Sequence, residues 1–165
     1  MITQDELKRL LHYNPETGVF TWLITRNNNV KAGAPAGGIN TDGYLKIKLH
    51  GKTYSAHRLC WLYMTGVWPP EQVDHINNFR SDNRWVNLRL ATDEQNRFNR
   101  KNMPNSISKY KGVCWDKDLN KWRSRIFYKG KSINLGRFSC EIEAARAYNE
   151  ASKKYHGEFA YLNPV

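Results

Sequence analysis

Four residues in one short stretch carry the chemistry available to this chain. Within VDHINNFRSDNRWVNLRLATDEQN, residues 73–96, an Asp74-His75 pair is followed by Asn87 and then by Asn96. A carboxylate and an amide oxygen are hard donors, suited to a divalent cation such as Mg2+ that keeps several of its waters. An imidazole with an ordinary pKa of about 6.5 is largely neutral at pH 7 and can take a proton from water. Together these groups are what one-metal hydrolysis of a phosphodiester needs. Asp74 and Asn96 are the expected metal ligands, with Mg2+ the expected ion and Mn2+ a substitute. His75 is the expected general base, and Asn87 is expected to tie the loop and fix the imidazole without touching metal. Neighbouring strand residues point to opposite faces. Asp74 and His75 can therefore share a site only if the strand ends or bends at once, which the following Ile76-Asn77-Asn78 permits.

The elements that must position these residues are legible. Residues 73–76 predict a short strand, 77–86 a polar loop and 88–90 a second strand. Thr92 and Gln95 form a capping box that starts a helix at about residue 93, with Asn96 in its first turn. Upstream, Thr3 and Glu6 cap a helix carrying Leu7, Leu10 and Leu11, a turn spans 14–18, and 19–23 predicts a strand. Residues 26–43 read as a loop, and 44–49 with 52–55 read as a hairpin around His50-Gly51. Residues 56–65 predict a helix ending at Gly66, with His57 at its start, in a helix-start or phosphate-contact role.

The whole-chain charge names the partner class. Over 165 residues the formal net charge is +11, which points to a polyanion, nucleic acid before an anionic membrane surface. No apolar run approaches the roughly 18 residues of a spanning helix, and MITQDELKRLL has no apolar signal core. Cys60, Cys114 and Cys140 lie far apart, which argues against structural zinc or a disulfide framework and for a reducing, cytoplasmic compartment. The excess charge is concentrated: residues 108–137 hold nine Lys/Arg against two Asp/Glu. Two regions with separate jobs follow from this.

Residues 73–99 resemble the HNH endonucleases with the ββα-metal fold, especially the phage and intron-encoded homing group. The upstream GYLKIKLHGKTYSAHRLCW is similar to the segment that precedes their active site. The resemblance implies a metal-binding role for Asp74 and Asn96, a general-base role for His75 and the middle-asparagine role for Asn87. Many members carry histidine where Asn96 stands, so this is an H-N-N variant, for which zinc or nickel is less suited. Arg80, Arg84, Arg89 and Arg97 surround the motif and are expected to clamp phosphates.

From about residue 99 to 108 periodicity is lost, and 100–108 reads as a linker between a nuclease module at 1–99 and a second module at 109–165. There, 110–115, 121–128 and 131–135 predict three antiparallel strands, followed by a helix N-capped by Ser139 and ended by Gly157. Arg123, Arg125 and Phe127 alternate with Trp122, Ser124 and Ile126, giving one basic face and one apolar face for the alanine-bearing helix. YKGV (110–113), LGRF (135–138), EAARAYNEAS (143–152) and HGEFAYLN (156–163) are similar to the ethylene-response-factor-type, APETALA-like DNA-binding domain of plant transcription factors. Lys111, Arg123, Arg125, Asn134 and Arg137, with Trp115 and Lys117, are the expected DNA-facing residues. Cys114 stands where the plant domains carry arginine, so their target sequence does not transfer.

The expected fold is α+β: a ββα-metal module with N-terminal hairpin elements, then a three-stranded antiparallel sheet on one helix. The expected function is metal-dependent cleavage or nicking of duplex DNA by a monomer, in the host-cell cytosol if the gene is carried by a phage. The alternative is a non-catalytic DNA-binding regulator that keeps an inert HNH module.

Overall fold

The computed structural model describes residues 1–102 and 106–165. Thr3 opens α1 (Gln4–Leu10), its hydroxyl accepting the Glu6 amide at 3.3 Å as the capping box requires. Leu11 does not continue this helix. It begins a strand missed in the sequence, β1 (Leu11–Asn14), whose alternating burial sends Leu11 and Tyr13 into the core. β1 pairs antiparallel with β2 (Val19–Trp22) through a turn in which Asn14 Oδ1 accepts from the amides of Glu16 and Thr17. Gly18 is required there. It has φ +74°, and a Cβ would lie 2.5 Å from the Arg84 amide nitrogen.

The stretch expected as loop contains one short strand, β3 (Gly38–Ile39), at the edge of a sheet with β4 (Leu45–Leu49) and β5 (Lys52–Ser55). Helix α2 (Ala56–Thr65) follows and ends at Gly66 in the left-handed region. β6 (Gln72–His75) pairs antiparallel with β7 (Leu88–Ala91), with Asp74 opposite Arg89 and His75 opposite Leu88. Leu7, Leu11, Tyr13, Phe20, Ile47, Leu49, Leu59 and Leu62 form one core, on which Val73 and Leu88 also pack.

Helix α3 (Asp93–Asn99) starts at the expected place. Three strands follow, β8 (Val113–Asp116), β9 (Lys121–Tyr128) and β10 (Lys131–Phe138), in the order β10-β9-β8, and then α4 (Glu141–His156). β8 starts later than expected because Gly112, at φ +78°, passes so close to Tyr148 that a Cβ would run into its ring. The N-cap of α4 is Cys140 rather than Ser139, with no side-chain cap bond. β10 runs past the expected end at residue 135, and its last residues, 136–138, are reached through a bulge between Asn134 and Gly136. Ser124 and Ile126 are buried, and the apolar side of the sheet packs on Ala144, Ala145, Tyr148 and Ala151 of α4.

The chain divides into two compact units, Met1–Thr92 and Asp93–Val165. That division falls earlier than the expected boundary at residue 99 and assigns α3 to the second unit. Of the expected linker, residues 103–105 lie outside the described residues. At its edges Asn102 Nδ2 donates to the carbonyls of Ser108 and Tyr110, at 2.7 and 3.1 Å.

Candidate active site and DNA-reading sheet

Asp74 and His75 are both buried, and β6 ends at His75, as sharing one site demands. The turn beyond it is tight: Asn78 donates its amide to the His75 carbonyl and sits at φ +62°. Asn87 locks this turn. Its Oδ1 accepts the Asn77 amide at 3.0 Å, and its Nδ2 donates to Asn77 Oδ1 at 3.0 Å and to the Asp82 carbonyl at 2.8 Å. These bonds tie the loop to the end of β6.

The group found against the imidazole is Asn83, which sequence reasoning missed. His75 Nε2 lies 3.2 Å from Asn83 Oδ1. Asn83 Nδ2 donates to the Ser81 carbonyl at 3.2 Å, which fixes the amide's orientation and makes its Oδ1 the atom facing the ring. Nε2 must then carry the hydrogen, and in the neutral ring Nδ1 is the basic nitrogen. Asn83 is itself held by the core, its carbonyl accepting from the Tyr13 hydroxyl at 2.6 Å. The one signal available was that Asn83 is a polar residue midway through the loop. Its burial depends on Tyr13, some seventy residues away in the chain.

His57 closes another side of the imidazole, its ring edge-on to His75 at 5.1 Å, with Tyr44 at 6.0 Å from His75. His57 stands at the start of α2 as expected, but it is buried, so a phosphate contact does not fit it. Its Nδ1 has no hydrogen-bond partner among the described residues, and burial, then the nearby His75, push its pKa down to about 3. Burial also lowers the His75 pKa, opposed by the Asn83 bond and the Asp74 carboxylate. Both rings are neutral at pH 7.

The four arginines around the motif are not equivalent. Arg89 Nε and its terminal nitrogen both reach Asp74 Oδ2, at 3.0 and 2.9 Å. The cross-strand register that sets the two residues opposite one another makes Arg89 a holder of the carboxylate, a correction to its expected place on phosphate. Arg84 forks onto both oxygens of Asp82, at 2.8 and 2.7 Å, and holds that carboxyl down to about 2. Arg80 lies over the Tyr44 ring and donates to the Asp42 carbonyl at 2.8 Å. Arg97 is exposed on α3, and Asn96 is half-buried on the same helix.

On the sheet, the bulge in β10 decides which residues share the basic face. Simple alternation would send Arg137 to the same side as Ile133. The extra residue Leu135 flips it, so that Arg137 is paired with Arg123 and Asn134 with Arg125. Arg125, Asn134 and Arg137 are exposed there, as is Lys117 in the turn after β8. Arg137 Nε also reaches Asp116 Oδ2 at 2.8 Å. Two expectations are corrected. Trp115 pairs with Trp122 and meets its ring edge-on at 5.0 Å, which assigns it to the α4 side of the sheet. Lys111 gives its ammonium to backbone carbonyls of the α3 end, and burial, then Arg100, lower its pKa to about 8, which leaves it charged at neutral pH.

The model of the HNH endonuclease family matches residues 54–98, and that of the AP2 domain matches residues 108–158. The chain is 31% identical over 121 residues to an uncharacterized HNH endonuclease of Acanthamoeba polyphaga mimivirus, covering 73% of this chain and 59% of that relative. It is 31% identical over 88 residues to Protein 3.8 of Escherichia phage T7, covering 53% of this chain and 72% of the phage protein. Its C-terminal part is 40% identical over 58 residues to an AP2-like ethylene-responsive transcription factor of Arabidopsis thaliana, covering 35% of this chain and 12% of the plant protein. The chain therefore spans under two thirds of the mimivirus relative and a small part of the plant one. The first family match takes in β6, β7 and their turn, the second the sheet and all of α4, and the chain belongs to the HNH endonucleases and continues into a C-terminal AP2 domain.

Proposed function

We propose that this protein is a metal-dependent endonuclease that hydrolyses phosphodiester bonds in duplex DNA and is brought to its targets by the AP2 sheet. The observation that carries the reading is His75: a buried imidazole directly after Asp74, whose Nε2 is held by Asn83, which makes Nδ1 the basic nitrogen. In this reading Nδ1 takes the proton of the attacking water. Arg89 orients Asp74, and Asn87 keeps the turn from relaxing. A divalent cation held by Asp74 and Asn96, Mg2+ or Mn2+, would supply positive charge against the phosphate oxygens as negative charge builds there.

The donor chemistry fits such an ion. A carboxylate and an amide are hard oxygen donors, which suit Mg2+ or Mn2+ better than softer metals. On the sheet, Arg123, Arg125 and Arg137 suit guanine edges or phosphates, and Asn134 suits adenine.

Nicking of supercoiled plasmid in Mg2+ tests the proposal. His75→Ala is expected to slow nicking by about 10²- to 10⁴-fold and to leave duplex affinity unchanged. Nicking at the wild-type rate by His75→Ala would remove the base. Tight duplex binding by the wild-type protein with no nicking in Mg2+ or Mn2+ would favour the inert-module regulator.

A further inference from the structure

Helix α3 is finished by residues of the AP2 domain. The Lys111 ammonium donates to three carbonyls at its C-terminal end: Arg97 at 3.1 Å, Phe98 at 2.6 Å and Arg100 at 2.7 Å. Carbonyls of a last helical turn have no partner within the helix, and the helix dipole makes that end negative. One half-buried cation answers both. At seven residues α3 is too short to be stable alone in water, so what holds its end decides whether it is formed.

A second hold is independent of the first. The Phe98 ring lies flat on His156, 3.7 Å between centroids and 9° between planes. His156 is a fixed platform: Nε2 meets the Phe127 carbonyl at 2.9 Å, and Nδ1 meets the Ser152 hydroxyl at 3.2 Å. Lys111 lies in the YKGV segment and His156 in HGEFAYLN, both parts of the AP2-like pattern. The reading face also borders the helix, since Arg97 and Arg125 line one cleft of about 430 Å³.

We propose that Lys111 and His156 are positioning residues for the nuclease, and that the AP2 domain builds the helix carrying Asn96. Removing that grip then weakens metal binding even where no DNA is present. This rests on the reading of Asn96 as a metal ligand.

Lys111→Met in the full chain keeps the aliphatic stem and removes the donors, and Phe98→Ala is a second variant that leaves Lys111 in place. Three measurements are made: hydrogen exchange of the α3 amides, Mn2+ binding without DNA followed by electron paramagnetic resonance, and duplex affinity without metal. The expected result for both variants is faster α3 exchange, Mn2+ affinity lower by about tenfold or more, and duplex affinity close to wild type. Unchanged α3 exchange overturns the clamp, whatever Asn96 does. A loss of duplex affinity with α3 exchange unchanged would make Lys111 a DNA contact instead. Asn96→Ala is the control for the ligand itself. If it weakens Mn2+ binding while both clamp variants bind normally, the coupling is wrong and the ligand assignment stands. If it leaves Mn2+ binding unchanged, the ligand assignment fails and with it the coupling to the metal, while the exchange data still decide whether the clamp exists.

Discussion

In the turn after β6, Asn77, Asp82, Asn83, Arg84 and Asn87 are all bonded within the turn itself, whereas the basic face of the AP2 sheet keeps Arg125 and Asn134 exposed to solvent. The contrast matches the two physical tasks of the proposed function. A base that must meet a water within a few tenths of an ångström needs its neighbours fixed before substrate arrives. A reader of base edges needs its donors uncommitted, because their partners come with the DNA. Residues that look alike in sequence therefore differ in fate. Arg84 and Arg89 neutralise carboxylates near His75, while Arg125 lies exposed on the face of the central strand β9.

Breaking the fixed side alone has the largest expected effect. Gly18 touches no catalytic group, yet a Cβ there would strike the Arg84 amide and displace the loop that carries Asn83. Gly18→Ala is expected to lower nicking by about 100-fold through misplacement of the base, with duplex affinity unchanged in a mobility-shift assay. Equal loss of both activities would mean that the two regions are not separable.

Acid should also act on the fixed side. His57 has a folded pKa of about 3, below the ordinary histidine value of about 6.5. As the pH falls through 6.5 the unfolded chain takes up the proton first, so stability present above that pH is lost progressively towards pH 3. The expected loss is about 2 kcal/mol at pH 5, with His75 adding in the same direction. Urea midpoints at pH 7 and pH 5, followed by exchange of the β6 amides, check this. A midpoint that did not move would contradict a buried, neutral pair.

A smaller change sharpens the contrast at the base. Asn83→Ala frees the His75 tautomer and is expected to lower kcat by about tenfold with KM unchanged. The nitrogen-15 shifts of His75 should then pass from a single Nε2-protonated form to a mixture. Unaltered shifts would mean that something other than Asn83 selects the tautomer.

The local half of this architecture was legible in the chain. Capping residues marked the starts of α1 and α3, alternation marked the hairpin and the basic strand, and the Asp74-His75 pair marked the candidate site. What escaped was set by distant partners. Leu11 joins a strand because β2 comes back to pair with it, and Asn83 matters because Tyr13 holds its carbonyl. The flip of Arg137 depends on one bulged residue, Leu135, that no alternation rule signals. Lys111 looked like a DNA contact because its charge was visible and the carbonyls at the end of α3 were not.

The division between a fixed cutting site and an open reading face is tested most directly by single-turnover nicking of a target duplex across a range of protein concentrations, comparing wild type with Arg125→Ala. The account predicts that the half-saturating concentration rises about fivefold or more, the loss of one good base contact, while the plateau rate at saturation stays at the wild-type value. A plateau that falls while the half-saturating concentration stays where it was would contradict it, because Arg125 would then be serving the cleavage step and not the choice of site.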